Sequence, residues 1–128
     1  MGNGTTIGKV RGLGSAHHGA HHWLTHRLTA ISNLVLMVWL LGSFLMLSDF
    51  SYMSVIGWLA RPIAAVPMIL LIISLFSHAR MGLTVLIEDY IHEPGSKFAI
   101  LSALNLTAFG AGAFAIFSVA SLAFTGAA

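Results

Sequence analysis

Cysteine is absent from the 128-residue chain, and charged residues make up only 8% of it. The lack of cysteine excludes disulfides, thiolate metal sites and thiol nucleophiles. A soluble domain carries about 25% charged residues. The scarcity of charge, together with 57% hydrophobic residues and a mean hydropathy of +0.88, therefore indicates a membrane protein. No basic patch with interleaved aromatic residues supports nucleic-acid binding.

Three apolar segments are long enough to cross a hydrocarbon core of about 30 Å as helices. They cover residues 28–47, 63–87 and 98–124. The predicted fold class is therefore all-α, an integral membrane protein with three transmembrane helices. Residues 1–27, which are rich in glycine and histidine, form a predicted polar lead-in. Residues 28–124 form the predicted three-helix membrane domain.

Positive charges predict the orientation of the chain in the membrane. Lys9, Arg11 and Arg27 precede the first apolar segment, and Lys97 follows the second. Arg61 is the exception, because it lies between the first two segments. Since lysine and arginine are enriched in cytoplasmic loops, the N-terminus is predicted to lie inside and the C-terminus outside.

The second apolar segment contains two ionisable residues, His78 and Arg80. Ionisable residues inside a membrane are expensive and by default mark a functional site with a partner. On an α-helix, Gly82, Val85 and Asp89 share the face of His78. With a rise of about 1.5 Å per residue, Asp89 lies roughly 16 Å along the axis from His78. This stripe predicts two linked sites at different depths.

His78 has two alternative partners, a haem iron and a polar group on another helix. Gly82, on the same face, leaves room for a flat macrocycle. A b-type haem with two protein ligands needs a second histidine at matching depth. The other histidines, at positions 17–26 and at His92, lie outside the apolar segments. If His78 binds haem, the second axial ligand must therefore come from another subunit.

Asp89 and Tyr90 end the same helix and also have two interpretations. One is an interfacial aromatic residue beside a solvated acid. The other is a quinone site, in which the phenol donates to a carbonyl oxygen and the carboxylate supplies or steers protons. The motif alone does not decide between them.

Five histidines crowd residues 17–26, a composition found in metal-binding tracts. No carboxylate precedes Asp49, and a zinc site needs further fixed ligands. An interfacial segment is therefore favoured. Arg27 stands at the mouth of the first apolar helix, where it can meet an anionic group of a cofactor. Thr29, Ser32 and Asn33 lie on the first two turns of that helix and need partners in the bundle.

The third apolar segment contains small residues four positions apart, Ala108 and Gly112. Such spacing permits close contact between helices, and close packing is the predicted role. Asn105 and Thr107, the strongly polar residues in the first half of this segment, are predicted to bond to other helices.

The run HARMGL at His78–Leu83, followed by EDY at Glu88–Tyr90, resembles the second transmembrane helix of the small D-type membrane anchor of succinate dehydrogenase, respiratory complex II. His21 followed by RLTA at Arg27–Ala30 resembles the start of the first helix in that family. The resemblance covers about residues 21–92. Arg80 departs from the family pattern, with contact to a haem or a neighbouring acid and snorkelling to the interface as its two interpretations.

The resemblance implies a role for each matching residue. His78 is expected to be an axial ligand of haem b iron. Tyr90 and Asp89 are expected to belong to a ubiquinone site, and Arg27 and His21 to lie near the haem propionates.

The resemblance also implies a function, that of a non-catalytic anchor subunit of succinate dehydrogenase that helps pass electrons from the iron–sulfur subunit to ubiquinone. The expected partners are a C-type cytochrome b556 anchor subunit, the iron–sulfur subunit, the flavoprotein subunit and the lipid bilayer, with a trimer of heterotetramers left open. The bacterial inner membrane is favoured over the mitochondrial one. The alternatives are an anchor of a quinol:fumarate reductase and a non-haem structural subunit of another respiratory complex.

Overall fold

The computed structural model describes residues 19–126, which are helical apart from short connections. The helices are α1 (Gly19–Leu45), α2 (Tyr52–Leu59), α3 (Pro62–Tyr90) and α4 (Pro94–Thr125). Three helical segments are long and apolar enough to cross a membrane: Trp23–Leu45, Pro62–Tyr90 and Pro94–Thr125. The prediction of an all-α chain with three membrane-spanning helices is confirmed at this level.

The first helix begins earlier than the first apolar segment. α1 starts at Gly19, so residues 19–27 of the predicted lead-in are helical. His17 and His18, two members of the histidine tract, lie outside the described residues. The division of the chain into a lead-in of residues 1–27 and a membrane domain of residues 28–124 stays a prediction.

α3 is the central helix, because it packs against each of the other three. Its buried side chains are small or apolar: Ala64, Ala65, Leu71, Ser74, Met81 and Ile87. Ser74 of α3 contacts Thr29 of α1, whereas His78, one turn later on α3, also contacts His26, which is earlier on α1, so these two helices run antiparallel. Much of α1 is exposed in the isolated chain, including Leu34 and Val38, and this apolar surface suits lipid or another subunit.

A short helix, α2, precedes α3 and lies outside the three predicted apolar segments. Ser51 caps it, since its hydroxyl accepts a hydrogen bond from the backbone N–H of Ser54 at 3.3 Å. Hydrogen bonds from Ser51 and Ser54 lower the pKa of the Asp49 carboxyl to about 2. At the other end of α2, Trp58 stacks on Trp39 of α1 with ring centroids 5.9 Å apart.

A tight turn joins α3 to α4 and holds their ends together. Glu93 caps α4, because its carboxylate accepts hydrogen bonds from the backbone N–H groups of Gly95 and Ser96. Lys97 reaches back from α4, and its Nζ donates to the carbonyl oxygen of Glu88 at 3.1 Å. The last turn of α3, which contains Asp89, is thereby held beside the start of α4.

Candidate functional site

His78 contacts two residues of α1. Its Nδ1 lies 3.1 Å from Thr29 Oγ1, and its ring stacks on His26 with centroids 4.4 Å apart and planes inclined by 27°. Ser74, one turn earlier on α3, donates its hydroxyl to the carbonyl oxygen of Thr29 at 3.2 Å. Polar side chains therefore join α1 and α3 at the depth of His78.

The spacing of these residues explains why they meet. Ser74 and His78 are four positions apart on α3, and His26 and Thr29 are three positions apart on α1, so each pair shares one helix face. The expectation that Thr29 finds a partner on another helix is confirmed. Within residues 19–126, Nδ1 is the ring nitrogen of His78 that is hydrogen-bonded, which leaves Nε2 available.

Arg80 belongs to a different contact. It lies two positions from His78, which turns it by about 200° around the helix axis. Its Nη1 donates to Asn105 Oδ1 of α4 at 2.7 Å, and its guanidinium lies 5.4 Å from the ring centroid of Phe109. The predicted bond of Asn105 to another helix is confirmed. Arg80 is thus an interhelical hydrogen-bond donor, a role that neither sequence interpretation included.

Arg27 and His21, the two residues expected near haem propionates, do not contact His78 within the described part of the chain. The Arg27 guanidinium is exposed and lies 4.7 Å from the ring centroid of Trp23. His21 lines a cavity of about 410 Å³ together with residues of α3 and α4, including Arg80. The structure therefore does not bring Arg27 and His21 to one place with His78.

Asp89 and Tyr90 occupy the end of α3, as their position in the sequence predicts. Both side chains are exposed, Tyr90 to 79%. Across the described helices and loops, neither side chain has a hydrogen-bond partner. The two groups are therefore free to contact a ligand or another subunit at this end of the bundle.

His26 is the residue that the sequence interpretation did not single out. It was one member of the histidine tract, yet it alone is found to stack on His78 among the described residues. Its spacing of three from Thr29 was the available signal. Where the structure describes the chain, no three histidine, aspartate or glutamate side chains gather in a metal-binding group.

These features define a three-helix membrane subunit with a half-buried histidine between two of its helices. A family described as succinate dehydrogenase/fumarate reductase transmembrane subunit matches residues 1–112 of the sequence. The chain belongs to this family, and the membership inferred from the sequence motifs is confirmed.

Two relatives illustrate the similarity. The chain is 42% identical over 101 residues to the succinate dehydrogenase hydrophobic membrane anchor subunit of Rickettsia bellii (strain RML369-C), covering 78% of this chain and 80% of the relative. The protein of the same name from Rickettsia conorii (strain ATCC VR-613 / Malish 7) is 35% identical over 86 residues, covering 66% and 68%.

Proposed function

We propose that the chain is the hydrophobic membrane anchor subunit of a succinate dehydrogenase in a bacterial inner membrane. Family membership and three membrane-length helices support this role. The subunit does not itself oxidise succinate, and it assembles with a C-type cytochrome b556 anchor, an iron–sulfur subunit and a flavoprotein subunit. The positive charges favour an orientation with the N-terminus and the Tyr90 end of α3 inside.

His78 serves in this proposal as one axial ligand of haem b. The single observation that carries it is the hydrogen bonding of the half-buried imidazole, whose Nδ1 bonds Thr29 while no residue of the described part of the chain bonds Nε2. A histidine that ligates a metal with one nitrogen and bonds a polar group with the other is the usual arrangement. Haem, when bound, would supply a one-electron carrier at this depth, and His78 together with a ligand from the partner anchor would hold its iron.

Asp89 and Tyr90 contribute to a ubiquinone site shared with the iron–sulfur subunit. Both are exposed at the end of α3, beyond His78 along the same helix. The Tyr90 hydroxyl donates a hydrogen bond to a quinone carbonyl oxygen, and the Asp89 carboxylate steers protons toward the reduced oxygens. Reduction of the quinone at this shared site completes the electron path from succinate.

Arg27 and His21 lie in the propionate region in this proposal. Arg27 is exposed at the start of the first membrane span and is held there by Trp23. An exposed cation–π contact is worth only about 0.5–1 kcal/mol, so an anionic group can displace it at small cost. His21 has the weaker support, since it lines the cavity beside Arg80 rather than facing His78.

The test of haem ligation compares purified complexes carrying His78→Ala and His92→Ala with the wild type. His92 is the matched control, because it is an exposed histidine beyond the end of α3. The reduced-minus-oxidised spectrum of His78→Ala is expected to lose or shift its b-type band while the four subunits still assemble. An unchanged band in that variant means that His78 is a packing residue and that any haem is held elsewhere.

A separate measurement tests the quinone site. Tyr90→Phe keeps the ring and removes the hydroxyl, so reduction of ubiquinone is expected to slow about 10-fold or more, as for loss of other catalytic hydrogen bonds. Reduction of a soluble dye by succinate is expected to stay at the wild-type rate. Wild-type ubiquinone reduction in Tyr90→Phe contradicts the role of the phenol. The quinone preference of the wild-type complex separates this function from that of a quinol:fumarate reductase.

A further inference from the structure

The hydroxyl of Thr29 lies among three polar atoms, and their chemistry decides the direction of its hydrogen bonds. Thr29 Oγ1 is 3.1 Å from His78 Nδ1 and 3.0 Å from the backbone carbonyl oxygens of both Thr25 and His26. A hydroxyl has one proton to donate and two lone pairs to accept with. The carbonyl oxygens can only accept, whereas a ring nitrogen of neutral histidine does either, according to its tautomer.

One arrangement satisfies all three contacts. If the Thr29 hydroxyl donated to His78 Nδ1, its lone pairs would face two carbonyl oxygens at hydrogen-bonding distance. If the hydroxyl instead shares its proton between the two carbonyl oxygens, a lone pair is left to accept from an N–H at Nδ1. The His78 ring then carries its proton on Nδ1 and its lone pair on Nε2.

We propose that Thr29 is a positioning residue that holds His78 in the Nδ1-protonated tautomer and so presents Nε2 to the haem iron. This inference rests on the haem ligation proposed above. A hydrogen bond from the second ring nitrogen orients a ligating imidazole and raises its basicity. Thr29 therefore strengthens the bond that His78 makes and lowers the midpoint potential of the haem.

Contacts from both helices hold the two members of this hydrogen bond in place. The carbonyl oxygen of Thr29 accepts a hydrogen bond from Ser74 on α3, which ties the backbone of Thr29 to that helix. His26 stacks against the His78 ring and restricts its rotation. Thr29 and His78 thus meet in one orientation, which is what a positioning contact requires.

The test uses purified complexes that carry Thr29→Val and Thr29→Ser. Valine has nearly the shape of threonine but cannot accept a hydrogen bond, and serine keeps the hydroxyl. In Thr29→Val, haem affinity is expected to fall roughly 10- to 100-fold, the midpoint potential to rise, and the low-spin electron paramagnetic resonance spectrum to change. Thr29→Ser is expected to match the wild type in all three readouts.

A control variant separates loss of the Thr29 hydroxyl from loss of any hydroxyl on α1. Thr25→Val removes a hydroxyl of the same helix that donates to the His21 carbonyl oxygen at 2.8 Å. This variant is expected to keep the wild-type potential and spectrum. If Thr25→Val shifts them as Thr29→Val does, the effect is not specific to the contact with His78 and the inference is overturned.

Further outcomes also decide the question. A wild-type potential and resonance spectrum in Thr29→Val, or a Thr29→Ser variant that behaves like Thr29→Val, overturns the role of the hydroxyl. If valine prevents assembly, Thr29→Cys carries the test, since a thiol accepts hydrogen bonds only weakly and must shift the potential in the same direction. Retention of the b-type band by His78→Ala overturns haem ligation itself. This failure is distinguishable from failure of the Thr29 inference, because the His78→Ala spectrum is measured with Thr29 intact.

Discussion

The two sides of α3 hold their neighbouring helices by different means. Toward α1, two hydrogen bonds lie at one depth, one from Ser74 to the Thr29 carbonyl oxygen and one between His78 and the Thr29 hydroxyl. Toward α4, it combines close packing with one strong hydrogen bond. Gly112 packs against Phe76, and a methyl group on Gly112 would sit in ordinary van der Waals contact, 3.5 Å from Phe76 Cγ.

The difference separates a site from a structural contact. On the α4 side, the Arg80 guanidinium donates to Asn105, whose amide nitrogen in turn donates to the Leu101 carbonyl oxygen at 2.8 Å. Each of these hydrogen bonds joins two residues of this chain. On the α1 side, the described residues bond only one ring nitrogen of His78, Nδ1. We therefore expect changes at the α4 side to alter stability and leave haem properties unchanged.

The largest effect on stability is expected from Asn105→Leu. It removes the acceptor of the Arg80 guanidinium, and hydrogen bonds to charged groups are worth about 1.5–3 kcal/mol. The thermal midpoint of the purified complex should fall while the b-type band stays in place. The double variant Arg80→Leu/Asn105→Leu is the control, and its thermal midpoint should lie between those of Asn105→Leu and the wild type. A shifted b-type band in Asn105→Leu contradicts the separation of the two sides.

Gly112→Leu comes next, because extra bulk at this position pushes α4 away from Phe76. Overpacking costs about 1–3 kcal/mol, and the thermal midpoint should fall accordingly. Gly112→Ala is the matched control. Its methyl group would meet Phe76 at an ordinary van der Waals distance of 3.5 Å, so it should be tolerated. Equal decreases of the thermal midpoint in Gly112→Leu and Gly112→Ala would contradict a role of Gly112 in close helix packing.

The helices and the polar residues of the site were predictable, whereas most contacts were not. A long apolar run must be helical in lipid, since its backbone groups have no water to bond with. The position of His78 in such a run marked it as functional. α2 was missed because the eight residues Tyr52–Leu59 are too few to give a clear periodic signal.

The contact between Thr29 and His78 depends on how α1 is rotated and shifted against α3. The two residues are 49 positions apart in the sequence. The residue pattern of either helix does not specify the rotation and shift that bring them together. Asn33 shows the same limit. It was expected to find a partner, but its Oδ1 is buried without one among the described residues. The groups that Asp89 and Tyr90 contact would belong to other molecules, so one chain could not supply them.

Ser74→Ala is expected to have a smaller effect than either change on the α4 side. It removes one hydrogen bond between α1 and α3, and such bonds between membrane helices average about 0.6 kcal/mol. The thermal midpoint of the complex should drop slightly. Ser118→Ala is the matched control, because the Ser118 hydroxyl donates within its own helix, to the Phe114 carbonyl oxygen. If Ser118→Ala lowers the thermal midpoint as much as Ser74→Ala does, loss of a specific interhelical hydrogen bond is not the cause of the decrease.

The smallest effect is expected at the turn between α3 and α4, and it depends on pH. Hydrogen bonds from the Ser96 side chain and backbone, and from the Gly95 backbone, lower the pKa of the Glu93 carboxyl below its ordinary value of 4.5. The folded chain therefore favours the carboxylate. Its stabilising contribution is fully present above about pH 4.5 and is lost as the pH falls through the lowered pKa.

Glu93→Gln removes this titration while keeping a side chain of the same shape. Its thermal midpoint should lie slightly below that of the wild type at neutral pH, and the two should converge as the pH falls below the ordinary pKa of a glutamate. The haem spectrum should not change, since the cap belongs to the α4 side of the bundle. A constant difference between Glu93→Gln and wild type at every pH contradicts the charged cap. A spectral change would show instead that this turn is coupled to His78, and that the two sides of α3 do not act independently.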